Sequence, residues 1–268
     1  MTAKELLESG QLAAAIEQLN KDVKAHPTDP RLRTFLFELL CFSGDYQRAD
    51  RQLEVIGHQS TSAEIGVQVY RNAMVAERAR QRLFADGLQP NFLFPPPPYA
   101  RLHLDAINRL RENRPAEAKA LLQESASLRP ALSGQLNGQP FSTLQESDDV
   151  LAPFLEVIIQ EQYTWLPLSH IKHLQIAQPK RLRDLLWTQA TLECFEGPAG
   201  EVLIPVLYSG SSGHEDDQVR LGRMTDWWSP GEGIARGMGQ RILLVDEEER
   251  ALLEVRELEI SPQGTSKN

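Results

Sequence analysis

Two stretches decide the fold: Ser9–Pro27, SGQLAAAIEQLNKDVKAHP, and Ser43–Gln59, SGDYQRADRQLEVIGHQ. Laid over one another they match at a constant offset of 34 residues, with Gly10 on Gly44, Leu12 on Tyr46, Ala15 on Ala49 and Leu19 on Leu53. A third copy, NRPAEAKALLQESASLRP, runs from Asn113 to Pro130. Each matched position has a physical job. Gly10, Gly44 and Asn113 stand where a turn between two helices needs a left-handed residue. Ala15, Ala49 and Ala118 are small where two helices must approach closely. Pro27 and Pro130 stop the second helix of a pair.

A period of 34 residues made of helix pairs resembles the tetratricopeptide repeat. In that family the first helix of each pair lines a concave face. The register then places Arg31, Thr34, Glu38, Cys41 and Phe42 on that face from the second repeat, and Ala100, His103, Ile107, Leu110 and Arg111 from the third. The set mixes apolar anchors with charge, as a groove for one amphipathic helix requires. It is the expected partner-binding site. The expected alternative is that the groove is filled by the chain's own middle helix or C-terminal half.

The middle of this region departs from the period. Ser62–Phe84 reads as one longer helix with Ile65, Val69, Ala73, Ala76 and Leu83 on an apolar stripe. Arg78, Arg80 and Arg82 fan out over a wide arc and read as a solvated face. Gly87 can end the helix, and Pro95–Pro98 forms a stiff extended spacer.

Composition sets limits on the whole. The 268 residues are 41% hydrophobic and 24% charged, which excludes general disorder. A net charge of −9 argues against a general nucleic-acid binder. No apolar run approaches the roughly 18 residues of a membrane span, and MTAKELLESG lacks the apolar core of a secretory signal. Cys41 and Cys194 lie far apart in apolar stretches, so two buried thiols in a reducing compartment are expected. Charge is unevenly divided. Residues 1–138 hold 17 basic and 16 acidic side chains, whereas residues 139–268 hold 11 and 21 together with all four tryptophans. The predicted architecture is therefore α+β in two domains: residues 1–138 all-α helical hairpins, and residues 139–268 an α+β unit. The Gly/Asn/Pro-rich stretch 133–140 marks the boundary, and the two halves are expected to fold separately.

The second half alternates strand-like runs with turn residues. LEVIIQ and YTWLPL form one expected hairpin, and WTQATLECFEG with EVLIPVLY a second, about Gly197–Gly200. VRLGRMTDWW, RILLVDEEER and ALLEVRELEI complete an antiparallel sheet, either open or closed into a small barrel. SHIKHLQIAQP is expected to be a helix capped by Ser169, with His170 and His173 on one face. SPQGTSKN reads as a frayed tail. None of the polar clusters makes a convincing catalytic, cofactor or metal site. His170 and His173 have no further ligands in reach. His214-Glu215-Asp216-Asp217 lacks the alternation of a calcium loop. The glycines of SPGEGIARGMGQ precede a strand rather than a helix, so they read as a flexible loop.

Five segments in order, LAPFLEVIIQEQYTWLPLSHI, PKRLRDLLW, PVLYSGSSGHEDDQVRLGRMTDW, GQRILLV and ALLEVRELEI, resemble the ImpE/SciE-type family of type VI secretion accessory proteins. The most specific positions are Leu155, Glu156, Tyr163, Trp165, Pro167, Arg183, Asp184, Leu207 and Tyr208. They continue with Asp216, Asp217, Arg220, Leu221, Gly222, Arg223, Asp226 and Trp227; Trp228-Ser229 departs from the pattern. The resemblance implies a cytoplasmic, non-enzymatic adaptor whose partner is the N-terminal helix of the small sheath subunit TssB. It also implies an indirect link to the ClpV ATPase, no cofactor and no membrane or nucleic-acid partner. Rival readings are a chaperone-like adaptor for a secreted effector, and an enzyme with its site around Asp216, Asp217, Arg220 and Asp226. The dense sign alternation from Asp216 to Asp226 is expected to be an ion-pair network that fixes a loop, together with Tyr163, Trp165 and Trp227.

Overall fold

At the repeat turns the backbone is left-handed, with φ of 76° at Gly10, 75° at Gly44 and 57° at Asn113. In this computed structural model, which describes residues 1–58, 61–197 and 199–262, those turns join three helix pairs. They are α1 (Ala3–Glu8) with α2 (Leu12–Ala25), α3 (Pro30–Phe42) with α4 (Tyr46–Gly57), and α6 (Pro98–Arg111) with α7 (Pro115–Leu128). A single long helix, α5 (Thr61–Asp86), stands between the second and third pairs. Ala15, Ala49 and Ala118 are fully buried at the close approaches. No helix among the described residues is long and apolar enough to cross a membrane.

The buried stripe of α5 differs from the one expected. Ile65 is 68% exposed and Val69 41%, while Val67, Ala73, Met74, Ala76 and Leu83 are buried. Arg78 and Arg82 are exposed, but Arg80 is 2% exposed. An alternating run of arginines cannot reveal which one faces inward when both faces of the helix are in play, and here the inward face meets a sheet.

That sheet begins at the expected boundary. Gly134–Leu136 (β1) and Gln139–Phe141 (β2) form a hairpin around Asn137 and Gly138, and β1 pairs with Glu257–Ile260 (β13). Stretch 133–140 is thus built into the sheet. Leu144–Glu146 (β3) follows, then Phe154–Ile159 (β4) and Gln162–Pro167 (β5), the expected hairpin. The residues expected as a helix after Ser169 are instead a short 3-10 turn, Leu168–His170, and strand β6 (Ile171–Ile176). A register shift between Ile171 and His173 hides the strand's alternation from the sequence. Trp187–Cys194 (β7) and Ala199–Pro205 (β8) form the second hairpin.

Val219–Trp228 splits into a short helix, α8 (Asp217–Arg220), and a strand, β9 (Thr225–Trp228). Part of the glycine-rich loop is strand too: β10 (Arg236–Gly239) pairs with β9, and Tyr208 packs where any Cβ on Gly237 would sit, 2.2 Å away. Ile242–Val245 (β11) and Glu248–Ala251 (β12) turn at Asp246 and Glu247, both at positive φ. The main sheet has eight strands in the order β2-β1-β13-β6-β7-β8-β4-β5 and is open at both edges, so no barrel closes. Gln263–Asn268, in the expected tail, lie outside the described residues.

Of two hydrophobic clusters, one is built from the sheet half and the other runs through both halves. Leu36, Phe37, Leu40, Phe42, Met74 and Ile107 from the helices share it with Val150, Phe154, Trp165 and Trp187 from the sheet. Cys41 and Cys194 are buried free thiols. His103 is at the centre of the contact. Its Nδ1 lies 2.7 Å from the Val150 carbonyl and its Nε2 2.7 Å from Ser125 Oγ, with its ring edge-on to Phe154. A carbonyl only accepts, so Nδ1 carries the proton and Nε2 accepts from the serine. Burial, then the nearby Arg129 charge, pushes its pKa from 6.5 to about 3.

Unfolded, this histidine binds more protons than folded across that whole interval, so stability must fall as pH drops below 6.5. The single group supplies a slope of up to about 1.4 kcal/mol per pH unit. Urea unfolding of a His103→Gln variant between pH 6.5 and about pH 4 should show a correspondingly flatter loss of stability than the parent. Equal slopes would mean that His103 is not the titrating group.

Candidate functional site

The seam between the halves is polar as well as apolar. Arg80, from α5, places Nε and Nη2 each 2.7 Å from the two carboxylate oxygens of Glu156 on β4. Glu77, one turn earlier on α5, lies 3.4 Å from Arg80 Nη1 and accepts from Trp187 Nε1 at 3.1 Å. Tyr163 donates to Glu156 at 2.5 Å and receives Trp165 Nε1 at 2.6 Å. On the other side Arg241 reaches Glu156 at 3.5 Å and Glu146 at 2.8 Å. Tyr208 gives its hydroxyl proton to Glu146 at 2.6 Å. Arg80, Arg241, Glu146 and Glu156 are all within 2% of complete burial. Two further pairs extend the seam: Arg183 to Glu38 of α3, and Arg236 to Asp148, both at 2.8 Å.

The electrostatics follow from burial set against pairing. Burial alone would raise Glu156, yet the Arg80 and Arg241 charges hold its carboxyl at about 2. Burial likewise would lower Arg80, and Glu156 and Glu77 overturn that and keep it charged. Glu146 and Glu38, with one arginine each, are pushed up by burial despite their partners. Two arginines around Glu156 make the difference.

A second set of contacts runs along the repeat turns. Segment 212–232 of the sheet half crosses the repeat turns, meeting the second, then the first, then the third. Gln218 lies against Gly10, where a Cβ would stand 1.9 Å from its Nε2, and Ser212 lies against Gly44. Lys119 of α7 donates to the Glu232 carbonyl. Asp217 accepts the Leu12 amide at the start of α2, at 2.7 Å, and also holds Arg220 at 2.8 Å. Arg223 donates to the Leu7 and Glu8 carbonyls at the end of α1. The left-handed glycines therefore turn the chain and also leave room for the segment that crosses them.

The residues expected as a partner groove divide. Phe42, Cys41, His103, Ile107 and Ala100 are buried under the sheet half, and Glu38 is bonded to Arg183. Thr34 and Leu110 are half-buried; Arg31 and Arg111 are exposed. The concave face is thus occupied from within, as the alternative reading allowed. The acidic motif is likewise not one network. Asp216 caps α8 through the Gln218 amide, Asp217 and Arg223 grip the first helix pair, and Asp226 forms an outlying pair with His214 at 3.2 Å. Trp227 packs on Tyr208. These carboxylates are divided among separate contacts, and His170 lies beside Phe94. Sequence reading missed Arg80, Glu77, Glu146, Asp148, Arg236 and Arg241. The available signal was indirect: Glu156 in FLEVII and Glu38 in FLFELLCF are single carboxylates inside apolar runs, and each calls for a cation from elsewhere in the chain.

Removing one member of the central pair leaves a buried charge unmatched, so Arg80→Ala should cost about 3–5 kcal/mol in urea unfolding. The double change Arg80→Met with Glu156→Gln should recover about half of that loss. A double variant as unstable as the single one would contradict a desolvation origin. Along the turns, Asp217→Ala should cost about 1–3 kcal/mol and speed hydrogen exchange at the Leu12 amide. Asp226→Ala, being exposed, should cost less than about 1 kcal/mol.

Comparisons with known proteins agree in placing the chain. The sequence profile of the ImpE protein family matches residues 138–259. The type VI secretion system accessory component TagJ of Pseudomonas aeruginosa is 37% identical over 262 residues, 98% of this chain and 92% of that protein. The crystal structure of protein VPA1032 from Vibrio parahaemolyticus superposes with a TM-score of 0.89 at 25% identity, covering 97% of this chain and 98% of that one.

Proposed function

This chain belongs to the ImpE/TagJ family of type VI secretion accessory proteins, and from that premise we propose that it is a cytoplasmic, non-enzymatic adaptor that binds the N-terminal helix of TssB. Through that subunit it would influence sheath assembly or its disassembly by ClpV. The observation that carries this reading is the near full-length match to a named accessory component, which spans both the helical and the sheet half. The geometry favours a binding role: the seam's charged groups are paired within the fold, and the acidic motif is taken up in capping and clasping.

With the concave face covered, the partner helix needs another groove. One of about 710 Å³ lies between the end of α5, Pro96–Pro98 and α6. Leu83, Phe92 and Leu104 form its apolar floor, and Arg101 and Asp105 stand at the rim. Arg111, from the expected partner set, ties α6 to the end of α5 by donating to the Ala85 carbonyl. An apolar floor with a charged rim suits an amphipathic helix that reads out positions i, i+3, i+4 and i+7.

Fluorescence anisotropy with a labelled TssB N-terminal peptide tests both levels. The parent should bind, and Leu104→Asp should weaken binding by at least about tenfold, or roughly 1.4 kcal/mol. Ile65→Asp on the far exposed part of α5 should leave it unchanged. Loss on Ile65→Asp alone would move the site along α5, and no binding by the folded parent would overturn the TssB assignment.

A further inference from the structure

Most arginines drawn into the body of this protein have a carboxylate close at hand, and Arg220 on Asp217 at 2.8 Å is one of them. Arg80, Arg183, Arg236 and Arg241 lie 2.7 Å or 2.8 Å from Glu156, Glu38, Asp148 and Glu146. The exception is Arg129, the residue that ends α7. No carboxylate lies within 4.0 Å of it among the described residues, and its Nε is buried without a hydrogen-bond partner. Asp149 is the acidic group whose charge acts on it, but the Asp149 Oδ2 accepts the Ala235 amide at 2.7 Å.

Arg129 lines an open pocket of about 280 Å³ at the seam. Two hydroxyls line it as well, Tyr99 Oη and Ser169 Oγ, 3.2 Å apart. The rest of the wall is largely apolar, with Leu132, Leu144 and Pro153. The volume is at the small end for a ligand site. Burial depresses the proton affinity of Arg129, the mark of a cation short of compensation. A half-buried guanidinium without a partner is costly, and its planar fork matches a carboxylate.

We propose that this pocket is a carboxylate-binding site. It takes a carboxylate carried on a short apolar body, with the anion on Arg129, the hydroxyls of Tyr99 and Ser169 beside it, and the body against Leu132, Leu144 and Pro153. Such a group is presented either by the C-terminus of a peptide or by a small organic acid. The site is independent of the groove between α5 and α6 and of the TssB assignment.

Calorimetry on the full chain separates these cases. The probes are N-acetyl-Ala-Leu as free acid, the same dipeptide as its amide, 4-methylpentanoate and inorganic phosphate. The free acid should bind and the amide should not. Arg129→Gln should lose at least about tenfold in affinity, and Ser169→Ala a smaller factor. At constant pH the free-acid dipeptide should also raise the melting temperature of the parent and not of Arg129→Gln. Arg129→Lys keeps the charge without the fork and should bind more weakly than the parent, so it serves if Arg129→Gln fails to fold. Equal binding of dipeptide and 4-methylpentanoate assigns a small acid; tighter dipeptide binding assigns a chain terminus. The proposal is overturned if acid and amide bind alike, if phosphate binds most tightly, if folded Arg129→Gln keeps full affinity, or if no acid binds up to about 10 mM.

Discussion

The Arg80–Glu156 pair is the constraint around which the two halves are arranged. Each ion carries a desolvation cost of several kcal/mol when taken from water, and the contact offsets that cost only if both partners arrive with good geometry. Here the fork of Arg80 meets both oxygens of Glu156 at 2.7 Å. Such a pair tolerates little displacement of α5 relative to β4. Apolar packing around it is more permissive, because Met74, Ile107, Phe154 and Trp187 could find other contacts after a small slip. The ion pair fixes the register, and the shared core supplies the bulk of the favourable free energy.

This arrangement explains why the helical repeats do not present a free concave face. Repeat proteins stack their pairs in one dimension and leave the inner surface open. Here that surface is closed by the sheet half: the ring of Phe154 lies against His103, Arg183 takes Glu38, and Tyr70 of α5 lies between Phe37 and Trp187. The turns are held as well, by the segment that crosses Gly10 and Gly44. A surface used in this way cannot also grip a partner without opening the core. The groove proposed for the partner therefore lies on the outer side, between the end of α5, the proline segment and α6.

How much of this was legible depended on the range of the interaction. The helix pairs could be read because a turn glycine, a small residue and a stop proline act locally and repeat at a fixed offset. Hairpins such as β4–β5 could be read for the same reason. The strand β6 could not, because its bulge breaks the alternation between Ile171 and His173. Arg80 could not be separated from Arg78 and Arg82, since its burial depends on a sheet that begins 54 residues later, at Gly134. The motif from Asp216 to Trp227 was seen as a unit through family resemblance. Its division into a helix cap, a clasp and an outlying pair required the first helix pair to be in place.

One signal in the sequence did point to the seam. Glu156 in FLEVII and Glu38 in FLFELLCF each interrupt an apolar run on an element buried on both faces. A lone carboxylate there is untenable unless a cation comes to it. Two such positions in distant segments therefore demand two arginines from elsewhere in the chain, and Arg80 and Arg183 meet that demand. Each pair ties one half to the other: the sheet's Glu156 takes its arginine from a helix, and the helical Glu38 takes its arginine from the sheet half. Reciprocal exchange of this kind makes each half electrostatically incomplete alone. The same logic, applied to a cation instead of a carboxylate, singles out Arg129, whose complement is missing from the described fold.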